Sequence, residues 1–138
     1  MNLEKAIAIA LDAHSGQTDK GGKPYILHPL RVMQQLETEV EQIVGVLHDV
    51  VEDSNYTFED LESFGFPTSA IAAIKLVTKQ TGVDYQIYLA NIKSNPIARN
   101  VKLADLRDNM NLQRLEVVTE KDLQRQAKYQ KAVQFLSN

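Results

Sequence analysis

The stretch VGVLHDVVEDS (Val44–Ser54) sets His48 beside Asp49 and, one turn on, Glu52 beside Asp53. On a helix wheel with His48 at zero, Glu52 falls at about 40°, Asp49 at about 100° and Asp53 at about 140°. Leu47, Val44, Val51, Val50 and Ile43 fill the opposite arc. Three carboxylates and one imidazole therefore share a wedge with no Lys or Arg at i±3 or i±4. Acids on such a face are ordinarily solvated, yet like charges this crowded destabilise a helix. A divalent cation removes the repulsion. His48 and Asp49 can bind it, while Glu52 and Asp53 orient or deprotonate a water. Gly45 falls inside the same polar arc, at roughly 60°. There it is expected to leave clearance above the metal, so that a bulky residue blocks the site without unfolding the protein.

Two protein ligands are too few, and the remaining histidines and the stretch RNVKLADLRDNMNLQRL offer more. His28 stands just before Pro29 at a helix start, where an imidazole can face a cleft or simply pack. His14 ends the first helical segment, where the helix dipole favours it, and a structural role fits it best. With Asp105 at zero on its own wheel, Asn109 lies at about 40° and Lys102 at about 60°. Val101, Leu106 and Leu112 flank them, so polar groups interrupt an inward apolar stripe. A buried Lys102–Asp105 pair explains part of this, but a buried Asn needs a partner as well. Arg107 and Arg114 point away on that wheel and are expected in solvent. His28, His48, Asp49 and Asp105 together form a mixed nitrogen and oxygen donor set, suited to Mn²⁺, Fe²⁺ or Zn²⁺ better than to Ca²⁺ or Mg²⁺.

Helices must position these groups. Leu3, Ala6, Ile7, Ala10 and Leu11 follow helical spacing, and a loop from Ser15 to Pro24 holds three of the six glycines. Pro29 suits the first turn of a helix running to about Glu37. The helix of the opening stretch is expected to run from about Val40 to Asp53. Thr57 with Asp60 reads as a capping box for a short helix ending near Gly65. Further helices are expected at 68–79, 83–93, 96–115 and 119–136, the last capped by Thr119. No alternating strand pattern competes. The expected fold is an all-α bundle of seven or eight helices in a single domain, residues 1–138.

The 138 residues suit one domain, and 43% apolar with 24% charged residues is ordinary for a globular chain. A net charge of −3 and a pI near 5.6 weigh against a nucleic-acid surface. The absence of cysteine removes disulfides and thiolate metal sites. Neither a signal peptide nor a membrane span is legible, so a cytoplasmic location is expected. Oligomeric state is not legible.

The motifs AHSGQTDKGGKPYILHP, LHDVVED and VKLADLRDNM resemble, in order and spacing, those of HD-domain phosphohydrolases. The likeness is to the hydrolase domains of RelA/SpoT-type alarmone enzymes and to small alarmone hydrolases, and it covers nearly the whole chain. It implies that His28, His48, Asp49 and Asp105 bind Mn²⁺ and that Glu52 and Asp53 activate water. It implies substrate contacts for Lys20, Tyr25 and Asn109, with Lys102 a further phosphate contact. The implied reaction is hydrolysis of ppGpp, a guanosine polyphosphate, to GDP and pyrophosphate. Synthetase activity is not expected, because no length remains for such a domain. Two departures bear on substrate choice. Asp19 stands where these relatives carry an arginine on the guanine base, and the arginine of ADLRDNM is displaced from the aspartate. Another nucleotide or phosphorylated small molecule is the first alternative, and a non-catalytic nucleotide-binding regulatory module the second.

Overall fold

A computed structural model describes residues 2–138, and its described residues form an all-helical bundle. The order is α1 (Leu3–Ala13), α2 (Leu27–Gln34), α3 (Glu39–Leu47), α4 (Val50–Asp53), α5 (Phe58–Ser63), α6 (Thr68–Val77), α7 (Tyr85–Lys93), α8 (Pro96–Asn109) and α9 (Glu120–Ser137). A 3₁₀ turn, Leu112–Arg114, lies between the last two. The helix starts follow their capping chemistry. Thr38, Thr57 and Thr119 each close a capping box with the acid three residues on, satisfying amides that a helix start leaves unpaired. No described helix is long and apolar enough to cross a membrane.

Helix α3 is the axis of the fold. It packs against α1, α2, α6 and α8, and five consecutive residues, Ile43 to Leu47, are buried. A helix apolar all round belongs inside a bundle. This corrects the expectation for Gly45. A Cβ there would come within 2.7 Å of Leu36 Cδ1 and 3.4 Å of the Met33 Cα. Gly45 therefore lets α2 and α3 approach closely. It does not provide clearance over the metal ligands.

Two expected helices are shorter than their periodicity suggests, and both breaks matter. The helix through the opening stretch stops at Leu47 and resumes at Val50. His48 Nδ1 bonds the Gly45 carbonyl at 2.6 Å, a side-chain competitor for the backbone ladder. Asp49 adopts φ −103°, ψ −1°, a sparsely populated conformation where many active-site residues sit. Neighbouring side chains on a regular helix diverge by about 100°; the break lets His48 and Asp49 converge. The helix expected over 96–115 ends at Asn109. Asn111 turns extended, and its side chain accepts the Gln113 N–H to start the 3₁₀ turn. Arg114 is thereby swung inward, contrary to the wheel, whereas Arg107 is exposed as expected.

Candidate metal centre and substrate cleft

Three helical segments bring the expected ligands to one point. His28 opens α2, His48 and Asp49 form the α3–α4 break, and Asp105 lies on the inward face of α8. Ligand atoms of His28, His48 and Asp49 all lie within 4.8 Å of one another. Asp105 Oδ1 lies 2.9 Å from His28 Nε2 and 3.3 Å from His48 Nε2. Asp49 Oδ2 lies 3.0 Å from His48 Nε2 and 3.8 Å from His28 Nε2. The two imidazoles meet edge on, 5.3 Å between centroids.

These residues fit a divalent cation. His48 Nε2 is buried and has no hydrogen-bond partner, although buried polar atoms almost always have one. Its other nitrogen is engaged by the Gly45 carbonyl, which can only accept. Nδ1 therefore carries the proton, and the Nε2 lone pair is free for a metal. Burial lowers the pKa of both imidazoles, but neighbouring carboxylates outweigh it: Asp105 and Asp108 at His28, Asp49 and Asp105 at His48. The carboxylates that favour positive charge on these imidazoles also favour a cation between them. A divalent ion supplies the same charge.

The groups around this point have distinct duties. Lys102 Nζ reaches Asp105 Oδ2 at 2.9 Å, and Asn109 Nδ2 donates to Asp105 Oδ1 at 3.1 Å. The inward polar stripe of α8 is thus a cradle for one carboxylate. Lys102 is held there and lies over the Tyr88 ring at 5.4 Å; it is not among the residues that line the cleft. Tyr25 donates its phenol to Asp49 Oδ2. Glu52 accepts the Lys79 backbone N–H at 2.7 Å. Burial foremost, with the Asp49 charge, holds the Glu52 carboxyl above its ordinary range against the pull of that amide. Burial and Asp49 raise Asp53 likewise. Neither acid is among the cleft-lining residues.

Residues overlooked in the sequence stabilise this arrangement. Asp108 is buried and accepts from His28 Nδ1 at 2.6 Å, while Arg31 grips it at 2.7 and 3.1 Å. Burial raises its pKa, but the His28 and Arg31 contacts prevail and bring it down to about 2. The signal was present: on the α8 wheel Asp108 lies only about 60° from Asp105. Gln17 donates to the Asp53 carbonyl at 2.8 Å and accepts from His14. His14 is buried, 5.0 Å from the Tyr25 ring.

A cleft of about 500 Å³ opens beside the centre, within the usual range for small-molecule sites. Tyr25, His28 and Asn109 form its metal end. Asp19, Lys20, Arg114 and Arg125 supply charge, and Leu112, Leu115 and Tyr129 apolar wall. Loop 15–24 forms one side because Gly21 sits directly on the 3₁₀ turn. A Cβ at Gly21 would stand 2.7 Å from the Arg114 carbonyl oxygen. Asp19 Oδ1 accepts the Gly21 and Lys23 amides at 2.9 and 3.0 Å, and Oδ2 faces Arg114 Nη1 at 3.6 Å. Lys20 remains 59% exposed at the mouth, 3.9 Å from Asp122.

The chain is 35% identical over 116 residues to a guanosine-3′,5′-bis(diphosphate) 3′-pyrophosphohydrolase of Haemophilus influenzae, covering 74% of this chain and 17% of that protein. It is 37% identical over 81 residues to the protein of the same name from Vibrio cholerae, covering 56% and 11%. The chain spans less than a fifth of the length of these curated relatives. A solved structure described as a metazoan ortholog of SpoT that hydrolyses ppGpp matches with a TM-score of 0.80 at 25% identity. That match covers 97% of this chain and 84% of the other. No protein-family model matches.

Proposed function

On an HD-domain helical bundle akin in sequence and fold to RelA/SpoT-type hydrolases, we propose a metal-dependent pyrophosphohydrolase acting on ppGpp. One observation carries this reading. Two imidazole Nε2 atoms and two carboxylates converge at the end of a cleft of nucleotide size.

His28, His48, Asp49 and Asp105 would hold the cation; two nitrogens and two carboxylates suit Mn²⁺, Fe²⁺ or Zn²⁺, and the likeness to RelA/SpoT-type hydrolases favours Mn²⁺. When bound, such an ion polarises a phosphoryl oxygen and acidifies its water. The chain's own residues do the rest. Glu52 and Asp53, one turn beyond Asp49, take the proton from the attacking water, and their raised pKa values bring them nearer a working base. Water attacks phosphorus of the 3′-diphosphate and the bond to the ribose 3′-oxygen breaks. GDP and pyrophosphate leave. Lys20 meets phosphate charge at the cleft mouth, and Leu112, Leu115 and Tyr129 offer flat apolar surface to a base. Tyr25 and Asn109 reach the reacting end while bonded to Asp49 and Asp105.

A second reading keeps the chemistry and changes the substrate. Asp19 faces the cleft paired with Arg114, a mixed-charge wall that suits some other nucleotide or phosphorylated compound. Both readings are tested by incubating Mn²⁺-loaded protein with ppGpp and a nucleotide panel and following pyrophosphate and phosphate release. Turnover of ppGpp that vanishes in Asp49→Ala is expected. Turnover of other compounds alone supports the second reading, and no turnover at all favours a binding module.

A further inference from the structure

His28, a member of the proposed metal set, has a second nitrogen, and it faces a carboxylate. Asp108 Oδ2 stands 2.6 Å from His28 Nδ1, inside the protein. Arg31, one turn after His28 on α2, closes on both oxygens of the same carboxylate at 2.7 and 3.1 Å. Arg114 adds a third contact, 3.8 Å to Oδ2, and donates to the Asp108 backbone carbonyl at 3.1 Å.

From this geometry we infer that Asp108 is the positioning residue for His28, with Arg31 as its counter-ion. The inference rests on His28 being a metal ligand. A carboxylate clasped by a guanidinium can only accept, so His28 Nδ1 must carry the proton. Nε2 faces Asp105 Oδ1 at 2.9 Å and Asp49 Oδ2 at 3.8 Å, and would give its lone pair to a cation bound between them. A carboxylate behind a ligating imidazole fixes its tautomer and ring angle and makes it a stronger donor. His48 obtains the same result from a backbone carbonyl. The two imidazoles are thus poised by different means, one by a neutral acceptor and one by a charge. Only the charged one can be removed by side-chain substitution. Arg114 extends the chain of contacts from His28 through Asp108 to Asp19 in the cleft wall.

A salt bridge that merely fastens α2 to α8 would stabilise the fold and leave metal affinity unmoved. The two roles separate in a titration of metal-free protein with Mn²⁺, followed by electron paramagnetic resonance of the free ion. Asp108→Asn should weaken Mn²⁺ binding about 10- to 100-fold, and Arg31→Gln by a smaller factor in the same direction. Nitrogen-15 spectra of wild-type imidazoles loaded with diamagnetic Zn²⁺ should show His28 protonated at Nδ1. Wild-type affinity in a folded Asp108→Asn, or protonation of His28 at Nε2, overturns the inference. If Asp108→Asn does not fold, Arg31→Gln and the wild-type spectra decide the matter, undiminished Mn²⁺ affinity in Arg31→Gln counting against it. Wild-type protein that binds no divalent ion removes the metal reading itself, and this inference with it. Binding by wild type with no loss in the variants removes the inference alone.

Discussion

The metal centre and the cleft wall lie side by side and are built on opposite plans. The centre is held by buried side-chain contacts. Asp105 alone is met by Lys102, Asn109 and His28, and the helices that carry it are buried. The cleft wall is loop and 3₁₀ turn, with ion pairs at its edge such as that of exposed Lys20 with the largely buried Asp122, 3.9 Å apart. Such pairs contribute little stability, about 0–1 kcal/mol. The contrast separates two tasks. On the proposed function, the core helices would supply the fixed geometry the chemistry requires, and the cleft wall would set substrate choice.

The largest effects should follow from damage to the centre. Asp49→Ala should abolish Mn²⁺ binding and turnover together, as measured by metal titration and pyrophosphate release. Glu52→Gln should retain the metal and lower kcat by about 10²- to 10⁴-fold, the usual contribution of a positioned acid or base. A Glu52→Gln enzyme with wild-type kcat would place the base elsewhere.

The same contrast governs what the sequence reveals. His48, Asp49 and Asp105 are legible as candidates because helical periodicity assigns each a face, and His28 because it stands before Pro29 at a helix start. The Thr57 and Thr119 caps are legible because capping is local. Gly45 is misread for a physical reason: a wheel assumes one solvent side, and residues 43–47 of α3 have none. The break at His48 is equally hidden, since it comes from the His48 side chain taking the Gly45 carbonyl. Arg114 fails because its wheel was extended through Asn111, where side-chain bonding ends the helix. Asp108 needed no new principle, only a partner on α2 that one wheel cannot show.

Arg114 tests the wall most directly. Its guanidinium faces the cleft but takes no part in the proposed metal set. Because Asp19 already shares its charge, Arg114→Gln should raise KM only about 2- to 10-fold, the range for an ordinary hydrogen bond, with kcat nearly kept and Mn²⁺ affinity lowered less than in Arg31→Gln, since Arg31 holds Asp108 more closely. A fall in kcat at constant KM would tie the wall to the chemistry and erase the division.

Gly45→Leu distinguishes packing from clearance. The close approach to Leu36 and Met33 predicts overpacking worth about 1–3 kcal/mol of stability, read by denaturant unfolding. The loss should be equal with and without Mn²⁺, because the strain lies between α2 and α3. A variant of wild-type stability that had lost its metal would restore the clearance explanation.

The smallest expected effect bears on substrate choice. Asp19 does two things with two oxygens: Oδ1 shapes the loop through the Gly21 and Lys23 amides, and Oδ2 occupies Arg114. Asp19→Asn keeps an oxygen for the loop and removes the charge. It should leave stability within a few tenths of a kcal/mol while freeing Arg114 for a phosphate. For a polyanionic substrate KM should then fall by about two- to fivefold, matching the 0.2–1 kcal/mol of a partly exposed ion pair. A rise in KM confined to one nucleotide would carry the opposite meaning. Asp19 would then be contacting the substrate itself, and the departure from arginine at this position would be a change of specificity rather than a loss of grip.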